Sequence, residues 1–137
     1  SPADPAGGGA RVALPAALDA IPGLDSAAGL RASGMNAAAY LRALQSFRAS
    51  GPDVADALFA GLAGGDVQEL VRITESLASA ADDIGARAVR DAADGLRRDA
   101  LTAMSTDALT PQALALTALL RELLADLFTA LDRGTGP

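Results

Sequence analysis

The fold is decided by residues 66–86, DVQELVRITESLASAADDIGA, which have the pattern of one amphipathic helix that ends at a glycine. Asp66 is a residue type that caps helix N-termini, and Gly85 is the type that ends helices in the left-handed conformation. Between them, apolar side chains recur at i, i+3, i+7, i+11 and i+14, on one side of a helix. These side chains are Leu70, Ile73, Leu77, Ala81 and Ile84. The stretch therefore predicts a helix with one buried face and one exposed face.

Capping residues, glycines and prolines divide the rest of the chain into further helices. The predicted helices run over residues 25–31, 36–51, 53–64, 66–84, 86–104 and 110–134. The pair Gly51–Pro52 is predicted to end the second helix, because proline lacks the backbone N–H and its ring clashes with the preceding turn. Short connections favour antiparallel neighbours. We therefore predict an all-α fold, an antiparallel four-helix bundle preceded by one or two short helices.

The composition supports this fold and excludes several classes of function. Of the 137 residues, 34 are alanine and 21 are leucine, both strong helix formers, whereas valine and isoleucine together number eight. The absence of cysteine and histidine excludes disulfides, cysteine zinc sites and the commonest general base. Seventeen acidic residues and 11 arginines give a net charge of −6, which argues against a nucleic-acid surface. We expect no cofactor, no metal, and no contact with nucleic acid or membrane.

The first residues of the chain have the composition of a linker. Prolines and the run Gly7–Gly9 interrupt any periodicity there, and Ala16–Ile21 allows at most one helical turn. We therefore divide the chain into a flexible Pro/Gly/Ala-rich linker (residues 1–23), a helical bundle (residues 24–133) and a tail (residues 134–137). An opening linker suggests a domain from the end of a longer protein, and the alternative is an ordinary ragged terminus.

Two stretches contain an ordered set of short motifs: residues 21–47, IPGLDSAAGLRASGMNAAAYLRALQSF, and residues 58–86, LFAGLAGGDVQELVRITESLASAADDIGA. They resemble the histidine-containing phosphotransfer (HPt) domains of hybrid sensor histidine kinases. Those domains often have a proline-rich linker, PGLD, a short helix and a glycine. A GD turn then leads into a helix with a His-x-Leu-Lys-Gly motif, and IGA follows. The resemblance covers about residues 21–131 and implies a monomer as an isolated domain, located in the cytoplasm alone or attached to an inner-membrane sensor kinase.

The chain departs from this family at the position of the phosphorylated histidine. Counting back from Leu77, that position is Glu75, while Ala78 replaces the lysine and Ser79 the glycine. Asp82–Asp83 stand where the family often has Gly-Asn. Because the chain has no histidine, no shifted register restores one. The resemblance therefore implies a degenerate, or pseudo-HPt, domain that is not an enzyme, although its parent chain is expected to be a hybrid sensor histidine kinase.

A polar face lies opposite the apolar face of the 66–86 helix. Five of its residues repeat at i, i+4, i+7, i+11 and i+14, and a sixth lies beside them. We call this set the docking face: Gln68, Arg72, Glu75, Ser76, Ser79 and Asp82. The resemblance implies that it binds a receiver domain, either of a response regulator or of the same kinase. The hypothesis is that the domain docks a receiver without accepting phosphate.

Other interpretations of the same residues remain open. Glu75 is alternatively a solvated helix residue on a surface that binds nothing, or a group that imitates phosphohistidine or reaches the receiver's magnesium. Asp82–Asp83 is interpreted as a turn or cap rather than a metal site, and Arg97–Arg98 as a solvated helix end. The structural alternative is a bundle without receiver binding that dimerises through leucines of the last helix. Those leucines are Leu116, Leu120, Leu123 and Leu127.

Overall fold

A computed structural model describes residues 14–135, with side chains described for residues 14–132. This part of the chain is helical, and its only β-type pairing is an isolated antiparallel bridge. Two 3-10 helices, Ala16–Ala20 and Asp107–Leu109, precede the first and the last α-helix. The α-helices are α1 (Ser26–Ala32), α2 (Ala37–Ala63), α3 (Val67–Ile84), α4 (Arg87–Thr102) and α5 (Thr110–Thr135). None of them is long and apolar enough to cross a membrane.

The four long helices form an antiparallel bundle. The neighbours in space are α2 and α3, α3 and α4, α4 and α5, and α5 and α2, while α1 packs mainly on α3. Leucine supplies most of the large core side chains. Fully buried are Tyr40, Leu44, Leu58, Leu70, Ile84, Leu96, Leu116, Leu120 and Leu127. The predicted all-α four-helix bundle is confirmed, with one short α-helix and one 3-10 helix in front of it.

The helix starts follow the predicted caps. The side chains of Asp25, Asn36 and Asp66 each accept a hydrogen bond of 3.0 Å from the backbone N–H three residues further on. Helix α3 ends at Gly85, whose φ of 76° lies in the left-handed region. The predicted apolar face of α3 is buried: Leu70, Ile73, Leu77, Ala81 and Ile84. Local sequence therefore determines both ends and the orientation of this helix.

The prediction that Gly51–Pro52 ends a helix is wrong, because α2 continues through both residues as a single helix of 27 residues. Pro52 is exposed, whereas Gly51, Ala55 and Leu58 are buried. A Cβ on Gly51 would lie only 2.3 Å from Cδ2 of Leu124, so α2 and α5 approach closely at this point. A proline inside a helix costs about 3 kcal/mol. The continuous buried face of α2 offsets that cost by packing.

The predicted linker extends too far into the folded domain. Its residues 1–13 lie outside the described part of the chain, but Ala16–Ala20 forms a 3-10 helix that packs on α5. Leu18 and Ile21 are buried in the core. At the other end, α5 runs to Thr135, past the predicted end of the bundle, and the last two residues of the predicted tail lie outside the description. The packed domain therefore begins before residue 24.

The turn between α3 and α4 is tied to the chain just before α1. Leu24 and Ala86 form the antiparallel bridge, and the Asp25 N–H donates to the Gly85 carbonyl oxygen at 2.7 Å. A Cβ on Gly85 would lie 2.0 Å from the Asp25 carbonyl oxygen, which leaves no room for a side chain. The contact therefore requires glycine both for its positive φ and for its lack of a Cβ.

Gly85→Ala is expected to lower the free energy of unfolding by more than about 2 kcal/mol, because a strained backbone conformation and a steric clash act together. Gly65→Ala is the matched control. Its φ is 68°, yet nothing lies within 4 Å of the added Cβ, so only the conformational cost of about 1–2 kcal/mol applies. Urea denaturation measures both variants. Equal losses would contradict the close approach of the two backbones.

Leu120→Ala is expected to lower the free energy of unfolding by about 2–4 kcal/mol, because the Leu120 side chain is fully buried on α5. Leu77→Ala on α3 should cost a similar amount. The control is Leu101→Ala, since Leu101 is 59% exposed and should lose less than about 0.5 kcal/mol. Denaturant unfolding compares the three variants. A loss at Leu120 as small as that at Leu101 would mean that the core is assigned wrongly.

Candidate functional site

All six residues of the docking face are exposed on α3, on the side away from the buried leucines. Five of these six residues border one of two grooves. Glu75, Ser79 and Asp82 border an open groove of about 510 Å³ between α3 and α4. Arg72 and Ser76 border a smaller groove of about 210 Å³ between α2 and α3, and Gln68 borders neither of these two grooves. The structure therefore brings together half of the predicted set, and the α3–α4 groove is the candidate site.

Helix α4 supplies the second wall of this groove. Arg90, Asp94 and Arg97 line it, and their i, i+4, i+7 spacing places them on one side of α4. Sequence reasoning missed Arg90 and Asp94 and grouped Arg97 with Arg98 at a solvated helix end. The structure separates that pair, because Arg97 lines the groove with 29% of its side chain exposed while Arg98 points to solvent. The spacing in the sequence indicates that the three residues share one side of α4, but it does not indicate that this side borders α3.

Ion pairs hold both arginines of the groove. Arg90 spans the groove, with one guanidinium nitrogen 3.0 Å from Oδ1 of Asp82 and another 3.0 Å from Oδ1 of Asp91. Hydrogen bonds to Asp91 and Asp82 raise the pKa of Arg90 above its ordinary value. Arg97 Nε lies 3.9 Å from Asp94 on the same helix. The cations of the groove are therefore largely neutralised before any partner binds.

Glu75 is the exposed carboxylate at the middle of α3. Among the side chains of residues 14–132, it has no hydrogen-bond or ion-pair partner. Ala78 is 8% exposed and Ser79 is small, so neither covers the carboxylate one turn further along the helix. With Asp82 and Asp94, Glu75 gives the groove three carboxylates against two arginines. The groove thus has one uncompensated negative charge on its α3 wall.

Arg72 is paired within its own helix. Its Nε donates to Oε1 of Glu69 at 3.0 Å, and a second hydrogen bond joins the two groups. This pairing lowers the pKa of the Glu69 carboxyl and raises that of Arg72. Both side chains are on the surface, where such pairs contribute little to stability. The cation of the docking face is therefore already engaged with Glu69.

The described side chains do not form a metal centre. Within residues 14–132, no group of three or more acidic residues is arranged so that it could hold a metal ion, and the chain has no histidine or cysteine. Asp82–Asp83 lie inside the last turn of α3 rather than in a turn or cap after it, which corrects the sequence interpretation. Asp82 is engaged by Arg90.

Tyr40 holds the C-terminal end of α3 in place. Tyr40 lies on α2 and its ring is fully buried in the core. Its hydroxyl donates a hydrogen bond to the carbonyl oxygen of Ile84 at 2.9 Å. That carbonyl belongs to the last turn of α3, where no partner exists within the helix. Burial raises the pKa of Tyr40 to about 12. The exposed side of α3 is thus positioned by a hydrogen bond made on its buried side.

A solved structure has this arrangement of helices. It is the HPt domain of a hybrid histidine kinase from Shewanella, with a TM-score of 0.76 at 15% sequence identity, and the match covers 82% of this chain and 97% of that one. The chain has the HPt fold. No family model and no curated protein matches the sequence. Within this HPt fold the two motif stretches meet, because Leu24 of PGLD pairs with Ala86 of IGA.

The HPt fold places the leucines of α5 inside the domain. Leu116, Leu120 and Leu127 are fully buried, and Leu123 is 5% exposed. The alternative prediction that these four leucines form a dimer interface is therefore wrong, because they already pack in the core of a single copy. Any surface that α5 offers to a partner must lie on its other side.

Tyr40→Phe is expected to alter stability at alkaline pH. The folded-state pKa of about 12 lies above the ordinary value of 10.0. The protonated Tyr40 hydroxyl therefore makes its full contribution to the free energy of unfolding below about pH 10, and this contribution is lost as the pH rises toward 12. The variant should lack this pH-dependent loss and be about 1 kcal/mol less stable at neutral pH. Denaturant unfolding across this pH range compares the two proteins.

Tyrosinate absorbance of the folded wild type reports this pKa directly, since Tyr40 is the chain's single tyrosine. A titration midpoint near 10 would contradict the buried hydrogen bond to Ile84.

Proposed function

We propose that this domain docks the receiver domain of a two-component system through the α3–α4 groove and does not accept a phosphoryl group. The receiver belongs to a response regulator or to the same hybrid kinase. The observation that carries the proposal is the exposed, unpaired Glu75 at the middle of α3 in an HPt fold. The resemblance to the family's motif, counted back from Leu77, implies that Glu75 stands where HPt domains have their phosphorylated histidine. The groove beside it is open to a partner.

The residue types present support docking without transfer. Phosphotransfer through an HPt domain requires an imidazole nitrogen as the nucleophile, and the chain has no histidine. A carboxylate at Glu75 would have to form an acyl phosphate, and its negative charge opposes the approach of a phosphoryl group. Ala78 supplies no cation where the family has lysine, and Arg90 is occupied by two aspartates. The site therefore lacks both the nucleophile and the free positive charge.

The shape of the site still allows a partner to approach. Ala78 and Ser79 keep the surface low beside Glu75, and α4 adds charged side chains of both signs along the other wall. Charges at the rim of an interface select partners and orient them. Because the groove has a net negative charge, we propose that it prefers a receiver with magnesium in an unphosphorylated acidic pocket over the phosphorylated receiver, whose dianionic group faces Glu75.

An NMR titration against the receiver domains of the same signalling system tests this proposal. With magnesium, we expect chemical-shift changes on Glu75, Ser79 and Asp82 of α3 and on Arg90 and Arg97 of α4. A beryllofluoride phosphate mimic on the receiver should weaken binding by about tenfold, because like charges then face each other.

Glu75→Gln is expected to reduce this difference between receiver states, because it removes the charge and keeps the shape. Glu122→Gln is the matched control, since Glu122 is an exposed glutamate on α5 that borders neither the α3–α4 nor the α2–α3 groove. Shift changes that avoid the α3–α4 groove would disprove the assigned site. No change with any receiver would reject the docking function and favour a structural role for the bundle.

A further inference from the structure

A second exposed surface lies on the side of the bundle opposite the α3–α4 groove, where α2 and α5 pack together. Three of the large exposed apolar side chains lie on it: Phe59 at 65%, Leu114 at 51% and Phe128 at 58% exposure. Helical spacing places charged residues and a proline between them. We call this set the α2–α5 face: Arg48, Pro52, Asp56 and Phe59 on α2, and Leu114, Arg121, Phe128 and Asp132 on α5.

Oppositely charged residues of α2 and α5 lie next to each other, at the same height along the two antiparallel helices. Arg48 lies 3.2 Å from Asp132, and its guanidinium carbon lies 5.4 Å from the centre of the Phe128 ring. Further along, Arg121 lies 3.7 Å from Asp56. These pairs are solvent-exposed, and Arg121 and Asp56 retain 58% and 77% of their side-chain exposure. Arg121 and Asp56 can therefore also pair with the opposite charges of a second molecule.

We propose that the α2–α5 face binds a second copy of this chain, related by a two-fold axis parallel to the helices. Such an axis lays α2 of one copy over α5 of the other at the same level, and the contact closes on itself. Asp56 then faces Arg121 of the second copy, and Arg48 faces Phe128 and Asp132 of the second copy. The pairs that exist within one chain are thereby repeated between two chains.

The charge balance of this face favours a second copy as its occupant. The chain has a net charge of −6, so most approaches of two copies are repulsive. The α2–α5 face has two arginines and two aspartates and is neutral. It therefore combines exposed aromatic side chains with a surface on which two acidic molecules meet without net repulsion.

The expected dimer is weak and leaves the docking site free. The face extends about 16 Å along α2 and about 27 Å along α5 and is only two helices wide, so the interface lies at the small end of specific contacts. We expect a dissociation constant on the order of 10–100 µM. This differs from the monomer that the family resemblance implies. The two α3–α4 grooves would face outward on opposite sides of the dimer, so self-association and receiver docking are independent properties.

Sedimentation equilibrium of the full 137-residue chain over a concentration series tests the proposal. The mass should rise from 13.6 kDa toward twice that value. Asp56→Arg and Arg121→Asp should each weaken self-association at least tenfold, because like charges then meet across the axis at two places. In an equimolar mixture of the two variants, opposite charges face each other again. The mixture should therefore form a mixed dimer about as tightly as the wild type.

The matched controls are Arg98→Asp and Asp99→Arg on α4, which change the net charge by the same amounts away from this face. They should leave the dissociation constant within about twofold of the wild type. Helicity by circular dichroism confirms that all variants fold. A wild type that stays at 13.6 kDa at every concentration overturns the proposal. It is also overturned if the mixture associates no better than the single variants, or if the α4 controls weaken association equally.

Discussion

The structure depends on the close approach of two backbones, those of the segment that opens α1 and of the turn that joins α3 to α4. A glycine on each side makes the approach possible: a Cβ on Gly85 would lie 2.0 Å from the Asp25 carbonyl oxygen, and one on Gly29 would lie 2.4 Å from the Ile84 carbonyl oxygen. The Asp25 N–H bond to the Gly85 oxygen closes the contact. Both walls of the α3–α4 groove start from this turn. The turn that positions both walls of the candidate site therefore contains none of the side chains that line it.

Local features were predictable from the sequence, and features that depend on tertiary packing were not. The caps at Asn36 and Asp66 act within one helical turn, so residue type alone indicates them. Whether the helix continues through Pro52 depends on whether the buried face of α2 packs against another helix on both sides of the proline. Helix α5 provides that packing. The prediction of a linker over residues 1–23 was wrong at Leu18 for the same reason. The proline-rich composition indicated a linker, but the Leu18 side chain is buried in the core.

The candidate site also has one part that was predictable from the sequence and one part that was not. Its α3 wall was predictable, because the spacing of Glu75, Ser79 and Asp82 on a single helix needs no knowledge of neighbours. Its α4 wall was not, because the positions of Arg90 and Arg97 relative to Glu75 depend on how α4 is rotated against α3. The motif resemblance did not help there, since its motifs end at the turn before α4. Periodicity within one helix was thus sufficient for half of the groove.

Glu75 makes no contact on which the HPt fold depends. The Glu75 side chain is exposed and has no partner among the described residues, so neither core packing nor any hydrogen bond depends on it. The features that hold α3 in place lie on its other side, at the Tyr40 hydroxyl and the buried leucines. The contacts that stabilise α3 and the candidate site therefore lie on different faces of one helix. The side chain at position 75 can therefore vary while the fold and the α3–α4 groove are kept.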